Sequence, residues 1–115
     1  MKKPSTGSRK ELPPIWVEKV NRLEEVVANE FGFRYKSQIW EHKRTPYNCW
    51  ARWVTWHRML KWGMSSLMVG RYSGFTRSSV LYGANCLARD LVQFDELQQI
   101  ISRINTKSSE QPPIE

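Results

Sequence analysis

Arg77, Ser78 and Ser79 follow directly on a Gly-containing turn, Tyr72-Ser73-Gly74-Phe75, and open a stretch of helical apolar period. A guanidinium and two hydroxyls at the exposed start of a helix are suited to hydrogen bonding with base edges and phosphates rather than to bond-breaking chemistry. In a helix-turn-helix the first residues of the second helix enter the major groove, which would bring these three near base edges. Gly74 can take the positive φ of a sharp reversal, and Thr76 is an expected N-cap. An ordinary helical hairpin carries the same turn signal.

Other chemistry is poorly supplied. The basic middle of the chain holds one carboxylate, Glu41, and no Ser-His-Asp or Cys-His spacing, so no enzyme is expected. A Gly-rich phosphate loop ending in Lys-Ser or Lys-Thr is missing, so no nucleotide cofactor is expected either. His42 and His57 read as lone surface or core histidines, and Cys49 and Cys86 as thiols without metal spacing. No cofactor and no metal are expected.

The 115 residues carry a net charge of +7. Between Arg34 and Arg77 nine bases meet one acid, a local balance of +8, while the remainder of the chain is at −1. Positive charge concentrated around the turn fits a polyanion partner, since counterion release from phosphates supplies much of a DNA binder's affinity. With 40% hydrophobic residues and six Trp, the chain is expected to fold as one domain. No run approaches the roughly 18 apolar residues of a membrane span, and MKKPSTGSRK has no apolar signal core, so a cytoplasmic, nucleoid-associated protein with no membrane contact is expected.

The elements that must position these residues read as all-α, with five or six helices. Residues 1–12 are expected to be a disordered basic tail, 13–105 the helical domain and 106–115 a second disordered tail. Pro13 and Pro14 suit a helix entrance, with Ile15/Trp16, Val20, Leu23, Val27 and Phe31 on one stripe up to Gly32. Tyr35–Trp40 makes at most a short helix, followed by the basic loop His42–Pro46, a second candidate contact. The next helix, Tyr47–Trp62, should face inward through Cys49, Trp53, Trp56 and Leu60. Its Trp residues fit a core better than a base-stacking platform, and Trp50 is the one expected to be exposed.

A short helix ending at Tyr72 should point Leu67 and Met68 inward. The next should bury Val80, Ala84, Leu87 and Leu91 and leave Arg77, Ser78, Tyr82, Asn85 and Arg89 outward. Asp95 with Gln98 has capping-box spacing, and Leu97, Ile100, Ile101 and Ile104 form the last buried stripe.

Taken together, Val26 to about Asn105 resembles domain IV, the C-terminal DNA-binding domain of the bacterial replication initiator DnaA, in the Trp-repressor-like helix-turn-helix group. Val26-Val27-Ala28-Asn29-Glu30-Phe31-Gly32-Phe33 is similar to that domain's first-helix ending. Val69 to Ala84 is similar to its I-G-x-x-F-G-G-R-D-H-T-T-V-L-H-A signature.

The resemblance implies base contacts by Thr76, Arg77, Ser78 and Ser79 and a minor-groove loop at Lys43 and Arg44. Arg52 would lie near the DNA backbone, and Arg34, Lys36 and Lys61 would join it at phosphates. Phe75, Thr76 and Arg77 stand where the family has Arg-Asp-His, which implies an altered base preference, with Arg77 able to read guanine for about 1–3 kcal/mol. Residues 1–25 leave no room for the initiator's ATPase region, so a detached domain, related to replication or mobile elements, is expected. The alternative is a protein-interaction module, for a partner or a second copy, presenting Phe75, Tyr82 and Trp50 as an apolar patch.

Overall fold

A computed structural model describes residues 11–107, and the outer parts of both expected tails lie outside the described residues. Five α-helices and one 3₁₀ turn make up the fold, with no strand among the described residues. They are α1 (Pro14–Glu30), the 3₁₀ turn Lys36–Trp40, α2 (Pro46–Lys61), α3 (Ser66–Ser73), α4 (Arg77–Gln93) and α5 (Asp95–Lys107). Among these residues no helix is long and apolar enough to cross a membrane. The described chain packs slightly beyond the expected 13–105 at both ends: Leu12 is buried in the core, and α5 continues to Lys107.

Pro14 begins α1 at the position where a missing N–H costs nothing, and Val20, Leu23, Val27 and Phe31 bury as their spacing predicts. Ile15 stays exposed, whereas Trp16 stacks on Trp62 with Lys19 over the second ring. Glu24 also enters the core, 2% exposed, because its carboxylate accepts from Trp40 Nε1 at 2.7 Å and from the Tyr72 hydroxyl. Such a carboxylate is tolerated inside only with partners of this kind. It joins α1 to the 3₁₀ turn and to α3.

The expected inward stripe of α2 is misplaced as well as too narrow, since of Cys49, Trp53, Trp56 and Leu60 only Trp56 is buried. Trp50, Ala51, Arg52, Val54, Thr55, Trp56 and Met59 are all buried, because α2 runs through the centre and packs on α1, the 3₁₀ turn, α3 and α4. Trp50, expected outside, is 7% exposed and donates to Asp90 of α4 at 3.0 Å. Cys49, Trp53 and Leu60 are only half-buried.

Outward faces follow the same geometry. Arg77, Ser78, Tyr82, Asn85 and Arg89 of α4 are exposed as expected. The inward face is Val80, Gly83, Cys86, Leu87 and Asp90, with Ala84 and Leu91 at its margin. Leu67 of α3, expected inward, is exposed, and Val69 takes the buried position.

The last helix starts differently from its capping-box reading: Gln98 N–H bonds to Phe94 O, and the Gln98 side chain reaches back to Leu91 O. Leu97, Ile100 and Ile104 are buried and Ile101 half-buried, as expected. Glu30 at the end of α1 takes hydrogen bonds from Lys107 and from Arg103, the latter at 2.7 Å, which hold its carboxyl below the ordinary pKa and tie α5 to α1.

Gly83 sets how closely α4 lies on α2. A Cβ there would stand 2.5 Å from Trp53 Cδ1 and 2.8 Å from Trp56 Cε3, so both indoles press on bare backbone. Gly83→Ala should therefore destabilise the domain. Overpacking costs about 1–3 kcal/mol, and better helix propensity returns about 1 kcal/mol of it. Urea unfolding checks this, and a variant as stable as the parent or more stable would contradict the close packing.

Candidate nucleic-acid interface

The turn between α3 and α4 closes on Gly70. Its carbonyl accepts from Gly74 N at 2.9 Å and Phe75 N at 3.0 Å, and Gly74 sits at φ 82°. A Cβ on Gly70 would lie 2.9 Å from Phe75 O, so the start of α4 is held against α3 by backbone contact. Thr76 caps α4 as expected: its hydroxyl accepts from Ser79 N–H at 3.0 Å and donates to Ser79 Oγ at 3.0 Å. That leaves Ser79 a hydroxyl proton to give, while Thr76 is occupied by the cap.

Arg77 is exposed and leans back so that its Nε donates to Ser66 Oγ at 3.2 Å. Its Nη fork, the part a bidentate contact needs, is not used in that bond. Ser78 is exposed beside it.

Phe75 points the other way, towards the basic loop. His42 stacks flat on it at 3.9 Å with 7° between the rings, Trp56 meets it edge-on at 5.2 Å, and the Arg52 guanidinium lies 5.1 Å from its centroid. Arg52 is 6% exposed and donates to Glu41 O at 2.5 Å and Lys43 O at 2.8 Å. Burial lowers its pKa from the ordinary value, and the neighbouring Arg44 charge lowers it further, while Cys49 opposes the shift. The structure thus gives Arg52, expected at the phosphate backbone, a different place: it holds the 41–43 backbone from inside.

These contacts bring two sequence segments to one groove of about 900 Å³. His42, Lys43 and Arg44 line it on the loop side, Gly74, Phe75, Thr76, Ser79 and Tyr82 on the α4 side, and Cys49, Arg52, Trp53 and Trp56 at its base. Among the described residues no carboxylate lines it. Lys43 and Arg44 are exposed, and Lys43 Nζ lies 3.2 Å from the buried Oε1 of Glu41. Tyr82 stands 65% exposed, with its phenol pKa raised by its contact with Cys86 one turn on.

The remaining expected contacts fall elsewhere. Arg34 and Lys36 border a separate hollow with Glu25, Asn29 and Tyr35, and Lys36 Nζ donates to Asn21 at 2.9 Å. Lys61 is exposed at the far end of α2, roughly 24 Å along the helix axis from the loop at 1.5 Å per residue. Desolvation holds His57 below its ordinary pKa and the charges of Lys61 and Arg58 lower it further, a perturbation that the reading of His57 as a lone histidine does not anticipate.

Of the three residues of the alternative apolar patch, Trp50 is buried, Phe75 is half-buried against His42, Trp56 and Arg52, and Tyr82 is exposed. Phe75 and Arg52 act here as positioning residues between the loop and the start of α4. The usable signal was weak: an aromatic inside a turn with an arginine on a Trp-rich helix.

Replacing Arg52 by Met keeps the stem but strips two donors from the loop carbonyls. It should cost about 1–3 kcal/mol and speed amide exchange from His42 to Thr45 more than in α5. Unchanged exchange in the loop would show that Arg52 does not hold it. No family model matches the chain, and no curated protein or solved structure matches it.

Proposed function

We propose that the chain is a non-enzymatic domain that binds double-stranded DNA, with α3 and α4 acting as a helix-turn-helix. The exposed start of α4 enters the major groove through Arg77, Ser78 and Ser79, and Lys43 with Arg44 reaches the neighbouring minor groove. The reading keeps the resemblance to domain IV of the DnaA initiator, with a base preference altered by Arg77. Such a domain acts at the nucleoid and needs no nucleotide or metal.

The observation that carries it is the groove itself, where two basic or hydroxyl-bearing segments more than thirty residues apart in sequence meet and, among the described residues, no carboxylate is in the lining. Two further features support it. The positive dipole end of α4 lies beside that groove, which Thr76 and Ser79 line, and favours phosphate oxygens. Arg52 holds the backbone of the loop that carries the cations, so part of the loop's ordering entropy is already spent before binding. Arg34, Lys36 and Lys61 contribute to the general field and, at most, to outlying phosphates.

A labelled random duplex followed by fluorescence anisotropy tests this. Binding is expected at about 50 mM salt, with log K falling linearly as log salt rises; the Lys43→Ala/Arg44→Ala pair should reduce the slope by about 2. Arg77→Ala should relax the preference at one base position. Absence of binding, or an affinity indifferent to salt, overturns the reading.

A further inference from the structure

The groove between the 42–44 loop and α4 offers more than cations. Trp53, Phe75, Tyr82 and His42 line it together with Lys43 and Arg44. His42 lies flat on Phe75 and is itself exposed, so the aromatic stack begun in the core continues outward through the imidazole. Tyr82 presents most of its ring to solvent from α4, and Trp53 is half-buried at the base. An intact duplex shows a protein only base edges, sugars and phosphates, because each base face is covered by its neighbours. Aromatic faces in a cationic groove match a different state of the nucleic acid, a base that has left the stack while its phosphate remains on the strand.

We propose that this groove holds one unpaired nucleotide of the bound DNA, its base against Tyr82, Trp53 and the outer face of His42 and its phosphate on Lys43 and Arg44. The inference rests on the DNA reading above and narrows it to a duplex interrupted by an extrahelical base. Charge supports this occupant over an apolar peptide: three bases and a histidine line the groove, and among the described residues no acid does. Arg52 contributes by position, holding the loop against Phe75 so that the groove stays open between loop and helix.

The test uses three labelled duplexes of one sequence: intact, with a single bulged adenine, and with an abasic bulge at the same place. The abasic duplex matches the bulge in bending and flexibility but lacks the base, so the comparison isolates stacking. The bulged adenine should bind roughly tenfold more tightly than the abasic bulge, the scale of one base on an aromatic side chain. Tyr82→Ala should bring that ratio to near one, while Tyr82→Phe, which keeps the ring, should retain it. Tyr82 is largely exposed, so both variants should fold, and their circular dichroism serves as the control. Equal binding of the two bulged duplexes, with the intact duplex still bound, overturns this inference and leaves the DNA reading standing. Binding to none of the three at about 50 mM salt overturns both.

Discussion

One indole sets the register of the domain. Trp56 lies almost wholly inside and touches four elements at once: it faces Trp40 of the 3₁₀ turn at 6.3 Å, donates to Ser73 Oγ of α3 at 3.1 Å, meets Phe75 in the turn and abuts Gly83 of α4. A ring of this size brings a large buried area, and its N–H demands a partner when buried. Ser73 supplies that partner because its own hydroxyl proton goes to Val69 O at 2.9 Å, leaving an oxygen free to accept. The side chain that could not be placed elsewhere without losing a hydrogen bond thereby fixes where α3 ends and where α4 begins.

From that ring the interface follows outward by contact. Phe75 rests on Trp56, and His42 and Arg52 close on Phe75, so the loop and the start of α4 are positioned from a shared point rather than independently. The charge concentrated in the middle of the sequence then divides into unlike roles. Arg52 turns inward to satisfy backbone carbonyls, Lys36 is engaged with Asn21, and Lys43 beside Glu41, Arg77 beside Ser66 and Arg44 remain at the surface. A count of bases along the chain therefore overstates the charge available to a polyanion.

The helices were legible because their ends are written locally. Pro14, Thr76 and the glycines after α1, α2 and α3 act through the backbone of their own neighbours, and the α1 and α5 stripes follow a one-sided helical period. The central helix is hard to orient from sequence for the opposite reason. With partners on most sides, α2 leaves only scattered polar residues such as His57 and Lys61 outside, too few to mark its orientation, and Trp50 and Arg52 are both enclosed. Glu24 was equally invisible, since only Trp40 and Tyr72, 16 and 48 residues further on, make its burial tolerable. At the site, the exposed face of α4 could be read from period alone. Its union with the 42–44 loop could not, because that depends on a stack between residues 33 positions apart.

The central claim is that the loop and the first turns of α4 form one binding surface. Amide chemical-shift mapping during titration with a short DNA duplex addresses it directly. Shifts at residues 42–45 and 77–82 should grow together and saturate with one dissociation constant, while α5 stays still. Shifts confined to one of the two segments, or centred on α1 and α5, would contradict it.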